Sequence, residues 1–293
     1  MTYYVGVSGW RYRAWRGDFY PQGLVQRREL EYIAQRMTSA EINGSFYSLQ
    51  RPSSYATWHD ETPDDFVFAV KGGRFITHMK KLRDVETPLA NFFASGVLAL
   101  GRKLGPVLWQ LPARTTFDPG RVGDFLAMLP RTLDETARLA RGHDDRLAEG
   151  RALVDLPDGL DGRRRVRHAL EPRHPSFDTD EARELLRAHD VAMVVADSAG
   201  RWPRMEDSTT DLHYVRLHGE TELYTSAYPP SSLDRWAELC REWHDQGGDV
   251  HVYLDNDARG HAPHDAVALL DRLGGVPEHR ATFPGGATEQ GGG

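Results

Sequence analysis

Eight short β-rich runs, each bounded by turn residues, alternate along this chain with longer stretches of helical periodicity. That alternation constrains the fold more than anything else, because two parallel strands can be joined only by a long crossover, and a helix both supplies it and covers a sheet face. The runs are 3–8, 39–43, 66–71, 106–111, 168–171, 192–197, 213–218 and 250–255. Helical stretches with apolar residues on one side fall at 29–37, 88–104, 119–129, 180–189, 231–246 and 264–273, with further helical potential at 53–59. Asp180 and Ser231 are expected N-caps, and Gly105 and Gly247 expected stops. After the sixth run, 202–211 has no helical pattern. The expected fold is therefore an α/β, TIM-like (β/α)8 barrel, either complete or with one helix replaced by loop.

A chain of 293 residues, 40% of them hydrophobic, suffices for one barrel, expected over 1–276. Residues 131–167, between strands four and five, are crowded with Arg, Asp and Gly, and are expected to form a mobile insertion holding at most a short helix at 133–139. Residues 277–293 offer too little apolar surface to fold and are expected to be a disordered tail. No apolar run approaches the roughly 20 residues of a membrane span. The opening Met1-Thr2-Tyr3-Tyr4 also lacks the order of a signal peptide, so a cytoplasmic protein with no membrane partner is expected. The only cysteine, Cys240, sits among Trp236, Leu239 and Trp243 and reads as packing.

A net charge of −7 argues against sequence-independent wrapping of nucleic acid, whose affinity comes from neutralised phosphates. Lys71, Arg74, Lys80, Lys81 and Arg83 form a local basic cluster, which is either a solvated face or the edge of a groove.

Chemically capable residues gather at the ends of the expected strands. Strand one runs into Ser8-Gly9-Trp10, strand two into Glu41-Ile42-Asn43, strand three into Lys71 with Arg74 and His78 beyond, and strand four into Gln110. Strand five ends at Glu171-Pro172-Arg173-His174, strand six at Asp197-Ser198, strand seven at Arg216 and His218, and strand eight at Asp255-Asn256-Asp257. In a parallel barrel all eight ends emerge on one face, where the βα-loops build a site. Carboxylates clustered there repel unless a cation, a proton or a ligand offsets them.

These residues also carry a family resemblance. Gly6-Val7-Ser8-Gly9-Trp10 with Trp15, Gly17 and Phe19-Tyr20-Pro21 resembles the opening of the YecE-like proteins, a family known as domain of unknown function 72. The likeness continues through Glu41-Ile42-Asn43-Gly44-Ser45-Phe46-Tyr47, Ile76-Thr77-His78, Gln110-Leu111-Pro112, Glu171-Pro172-Arg173-His174, Tyr214-Val215-Arg216-Leu217-His218-Gly219, Tyr224 and Tyr228, in order from about residue 4 to 273. The resemblance implies a TIM-like barrel and no settled activity. Asp255-Asn256 departs from the paired asparagines common at that point in the family, Asp265 stands where an amide is usual, and the arginine-rich insertion is atypical. Asp255 is accordingly left outside the expected reacting centre.

Three readings of the pocket follow. In the first, Glu41, Glu171, His174, Asp197, His218 and Asp255 supply ligands for zinc, manganese or magnesium in a metal-assisted hydrolase or isomerase, although no compact ligand motif is present. In the second, Glu41 and Glu171 act as acid and base on a sugar or phosphoester without a metal. In the third, the basic cluster and aromatics bind a nucleic acid or phosphorylated ligand without catalysis. The favoured expectation is a hydrolase-like enzyme for a phosphoester or another small anionic or polyol ligand. Glu41, Glu171, His174, Asp197 and His218 surround its reacting centre. Arg173 and Arg216 position the anion, and Trp10, Tyr47 and Tyr224 form walls. Asn43, Lys71, His78, Gln110, Tyr228 and Asn256 complete the binding set.

Overall fold

The computed structural model of the chain describes residues 3–148 and 150–277. Its strands are β1 (Tyr4–Ser8), β2 (Ser39–Ile42), β3 (Val67–Lys71), β4 (Leu104–Gln110), β5 (His168–Glu171), β6 (Val191–Met193), β7 (Val195–Asp197), β8 (Leu212–Leu217) and β9 (Asp249–Leu254). All neighbours are parallel, in the order β6-β5-β4-β3-β2-β1-β9-β8-β7. β6 and β7 are the two halves of the expected sixth strand. The first pairs with β5 and the second with β8, while the N–H of Val194 between them donates to Leu170 O at 2.9 Å. One interrupted strand thus links both ends of the sheet and nearly closes the barrel, as a tilted strand must when its register is staggered between two neighbours.

Helices α1 (Glu29–Ala34), α2 (Gly44–Tyr47), α3 (Pro52–Asp60), α4 (Glu86–Ala94), α5 (Pro119–Ala127), α6 (Leu133–Ala140), α7 (Asp180–Ala188), α8 (Pro230–Asp245) and α9 (His261–Arg272) surround the sheet. The helix expected at 88–104 stops at Ala94. Gly96 and Gly101, at φ 120° and 52°, turn the chain there and leave 97–103 as a tighter 3₁₀ segment. The capping expectations also shift. Thr179, not Asp180, accepts from Ala182 N, Pro229 rather than Ser231 precedes α8, and Gly105 lies inside β4. Gly247, just beyond α8 at φ 88°, does end its helix. The connection after β7 forms no helix, as its sequence indicates.

The stretch 131–167, expected to be a loose insertion, is packed along the barrel wall. Leu133, Ala137, Ala140, Leu147 and Val166 are buried, Asn91 and Asp144 exchange two hydrogen bonds, and Arg164 donates to Gly101 O and Leu104 O. Its charge-rich composition hides a narrow apolar face. Of the expected tail, residues 278–293 lie outside the described residues. Among the described residues no helix is long and apolar enough to cross a membrane.

The barrel interior is a layer of its own. Ala69, Leu108, Ala169, Ala192, Val194, Ala196 and Leu212 pack around the rings of Tyr214 and Tyr253, apart from the larger core between sheet and helices. On the β1 side the backbones come too close for any side chain, because a Cβ at Gly6 would lie 1.8 Å from Ser39 O. Strand side chains alternate with a period of two. Two residues past this layer on β3, β4, β5, β8 and β9, the same inward row therefore continues as Lys71, Gln110, Glu171, Arg216 and Asp255.

Candidate functional site

The inward row ends in a ring of charge centred on Arg216, whose side chain is fully buried. Its guanidinium donates to Glu41 Oε2 at 3.1 Å, Glu41 Oε1 at 2.9 Å, Ser8 Oγ at 2.9 Å, Glu171 Oε2 at 2.8 Å and Asp255 Oδ2 at 3.0 Å. Ser8 Oγ and Tyr214 OH donate to the two Glu41 oxygens at 2.7 and 2.6 Å. Three carboxylates from β2, β5 and the end of β9 thus converge on one planar donor, a geometry that arginine's fork suits and a lysine could not reproduce.

Electrostatics sort these groups into fixed and adjustable ones. Burial pushes the Glu171 carboxyl up, but Arg173 and Arg216 outweigh it and hold Glu171 at about 2. Asp255 is likewise held low, Arg216 and His218 overcoming its burial. Burial opposes the charge on Arg216, yet Glu41, Asp255 and Glu171 more than restore it. These groups stay ionised at any ordinary pH. Lys71 and Asp257 differ. Burial, then Arg216, brings the Lys71 ammonium down to about 8. Burial, then the charge of Asp255, drives Asp257 well above the carboxylate range, so that it stays a neutral acid beside Tyr12.

Lys71 is 8% exposed, and its ammonium lies 4.6 Å above the Phe46 ring. It finds no hydrogen-bond partner among the described residues. Arg173 donates from Nε to Glu171 Oε1 at 2.6 Å, lies 3.9 Å above the Trp202 ring, and reaches Tyr224 OH at 3.5 Å. His218, fully buried, has Nδ1 2.9 Å from Asp255 Oδ2 and Nε2 3.8 Å from Glu171 Oε1. Its ring meets Trp202 and Tyr224 edge-on. Tyr224, held at a φ of 64° with its N–H donating to His218 O, is fixed at that wall. His78 sits between Thr77 Oγ1 at 2.9 Å and Gln110 Nε2 at 3.5 Å, and burial, then Lys71 and Arg173, lowers it to about 4.

The structure thus brings Glu41, Lys71, His78, Gln110, Glu171, Arg173, Arg216, His218 and Tyr224 into one neighbourhood. Several other expected members lie elsewhere. Asp197 follows the inward Ala196 by one residue and so faces out of the barrel, where Tyr228 OH donates to it at 3.2 Å and it lines a side cavity with Arg204, Glu220 and Trp236. Tyr228 is buried with it and receives Gly219 N. His174 caps its own turn by accepting from Ser176 N, and touches none of the ring. Asn256 has the outward parity too and ties loops together, donating to Ser226 O and Asp265 Oδ2. Tyr47 is 70% exposed, edge-on to Phe46. Trp10 packs against Trp58 and, with Asn43, Tyr12 and Gln50, lines a cavity of about 300 Å³ beside the ring; the buried Oδ1 of Asn43 has no hydrogen-bond partner among the described residues.

The expected site set noted Ser8 and Asp257 at strand ends without including them, did not contain Tyr214, Trp202 or Phe46, and set Asp255 aside. The period-two row through Tyr214-Arg216-His218 and Tyr253-Asp255 contains the missing signal. Of the carboxylates expected to hold a metal, Glu41, Glu171 and Asp255 face Arg216 and Asp197 lies off the ring. Among the described residues no group of three or more His, Cys, Asp or Glu side chains is placed to hold an ion.

The family model described as "Protein of unknown function DUF72" matches residues 4–287. The chain is 28% identical over 287 residues to the UPF0759 protein YecE of Escherichia coli K12, covering 94% of this chain and 96% of that one. It is 30% identical over 299 residues to the UPF0759 protein YunF of Bacillus subtilis 168, covering 92% and 94%. A DUF72 family protein from Thermotoga maritima superposes with a TM-score of 0.73 at 25% identity, over 94% of this chain and all of that one.

Proposed function

Taking as premise that the chain belongs to the DUF72 family, we propose that its barrel mouth holds a small organic anion and transfers a proton to or from it, with Lys71 as the proton-carrying group. One observation carries this reading: the Lys71 ammonium is nearly buried at the mouth, near Arg216 and His78, and no described residue offers it a hydrogen bond. A desolvated cation without an acceptor is costly, and an anionic ligand would supply the acceptor. The other two cations of the ring are already matched, Arg216 by three carboxylates and Arg173 by Glu171.

Proton transfer is favoured over the other chemistries because acid–base catalysis needs groups poised near the working pH. Lys71 at about 8 is such a group. A glycosidase-type pair, by contrast, needs one carboxyl raised to serve as acid, and Glu171 at about 2 is driven the opposite way. Thermal-shift and NMR binding with inorganic phosphate, lactate and citrate test the reading, followed by proton-exchange NMR in D₂O across a panel of small acids and sugar phosphates. Wild type should be stabilised by at least one anion and should exchange a substrate C–H, whereas Lys71→Met should do neither. Equal stabilisation of wild type and Lys71→Met would sink the assignment.

A further inference from the structure

Of the 36 lysines and arginines in the chain only four are lysines, at positions 71, 80, 81 and 103. Three of them have ordinary settings. Lys103 fills a niche where its ammonium donates to His59 O at 2.5 Å and Thr62 O at 2.7 Å, Lys80 pairs with Asp84 at 3.8 Å, and Lys81 is exposed. Where the ring needs a fixed cation, at 173 and 216, it carries arginine, which matches a carboxylate with a planar fork and keeps its proton. Position 71 breaks this habit. An arginine there would hold an anion at least as well, so what a lysine adds is an amine that can become neutral and donate an electron pair.

We infer that Lys71 is a covalent nucleophile that forms an imine with the carbonyl group of a small substrate also bearing an anionic group. The inference rests on the anion-holding reading above, adds the reacting group of the substrate, and makes Lys71 the nucleophile in place of the proton carrier. The geometry supports it independently of any titration. The Lys71 backbone is pinned by Ser45 Oγ donating to its carbonyl at 2.7 Å, and its side chain is laid over Phe46. The charged groups that face it come from every side of the barrel: Arg216 on β8, Glu41 on β2, Glu171 on β5, Asp255 after β9 and His78 beyond β3. A lysine desolvated beside another cation is the setting in which an amine becomes nucleophilic near neutral pH.

The step balances without an added oxidant or reductant. The neutral Lys71 nitrogen attacks the carbonyl carbon, a C–N bond forms, and the carbonyl π pair moves to oxygen, which takes a proton lost by the nitrogen to give a carbinolamine. The nitrogen pair then expels the hydroxyl, which leaves as water with one proton drawn from solvent. Amine, carbonyl and one proton become iminium and water.

The scarcity of lysine makes the test clean. Glyoxylate with sodium cyanoborohydride at pH 8 converts an imine to a stable carboxymethyl-lysine, which peptide mass mapping locates. With its amine brought down to about 8, Lys71 should be labelled at least about tenfold faster than Lys80 or Lys81, because roughly a hundredfold more of it is unprotonated at that pH than of an ordinary lysine. Labelling should slow as pH falls below 8 and when inorganic phosphate is added, and Lys71→Arg should lose the fast adduct. Lys71 labelled no faster than Lys80 and Lys81 overturns the inference. If phosphate then still stabilises wild type and not Lys71→Met, the imine falls and the anion-holding reading stands. If phosphate has no effect either, both fall. Fast labelling of Lys71 that phosphate does not slow would contradict the anionic substrate class and both readings with it.

Discussion

Replacing Arg216 by methionine should be the most damaging single change at the mouth of this barrel. The substitution removes the donor of five hydrogen bonds and leaves Glu41, Glu171 and Asp255 facing one another without their shared cation. Glu171 alone gives a scale. It falls from the ordinary glutamate range to about 2 in the folded protein, a displacement of roughly two units at about 1.4 kcal/mol each, so its ionised form contributes about 3 kcal/mol to stability. Part of that comes from Arg173, but Asp255 is held low by Arg216 as well. Breaking a buried ion pair from one side costs about 3–5 kcal/mol, a large share of the roughly 5–15 kcal/mol that holds a domain together. The folded pKa of Glu171 lies below its unfolded value. Its contribution is therefore complete above pH 4 to 5 and is lost as pH falls through about 2. In Arg216→Met Glu171 and Asp255 should protonate more readily, so the deficit should be largest at pH 7 and shrink toward pH 4. Urea denaturation followed by tryptophan fluorescence at both pH values measures this. A variant within about 1 kcal/mol of wild type at pH 7, or a deficit that grows on acidification, would refute the view that Arg216 neutralises the ring.

Other consequences are as direct. Gly6→Ala should fail to fold or lose well over 2 kcal/mol by denaturation, because its methyl would meet Ser39 O on the neighbouring strand and neither backbone can yield; normal stability would contradict the close packing of β1 on β2. Asp197→Asn and His174→Ala should leave phosphate binding and Lys71 labelling unchanged, since both residues lie off the ring; loss of either activity would return them to it. The His78 ring, lowered to about 4 by burial and by Lys71 and Arg173, should show no NMR titration near pH 6.5, and its midpoint should rise in Lys71→Met; an ordinary midpoint in wild type would contradict the positive field at the mouth.

The barrel was legible because its two periodicities are physical necessities. The eight β-rich runs each became strand, and their polar ends came out on one face. What pattern reading missed was parity. Asp197 and Asn256 stand at strand ends just as Glu171 and Arg216 do, yet each is one residue out of step with the inward row and so faces helices or loops. Counting in twos from Ala196 and Tyr253 would have excluded both and admitted Asp255. Other errors have no local signal. That Glu41 and Glu171 both pair with Arg216 depends on residues 45 to 175 positions apart in sequence converging on one guanidinium. The wall-packed stretch 131–167 is hidden for a related reason, its few apolar residues diluted by arginine and aspartate that face solvent.

The account turns on a single amine, and with only four lysines its titration can be followed directly by NMR of lysine side chains labelled with ¹³C and ¹⁵N. The Lys71 ammonium should lose its proton with a midpoint near 8, and the midpoint should climb when phosphate is bound. A Lys71 midpoint at the ordinary value of 10.5, unmoved by any anion, would contradict it.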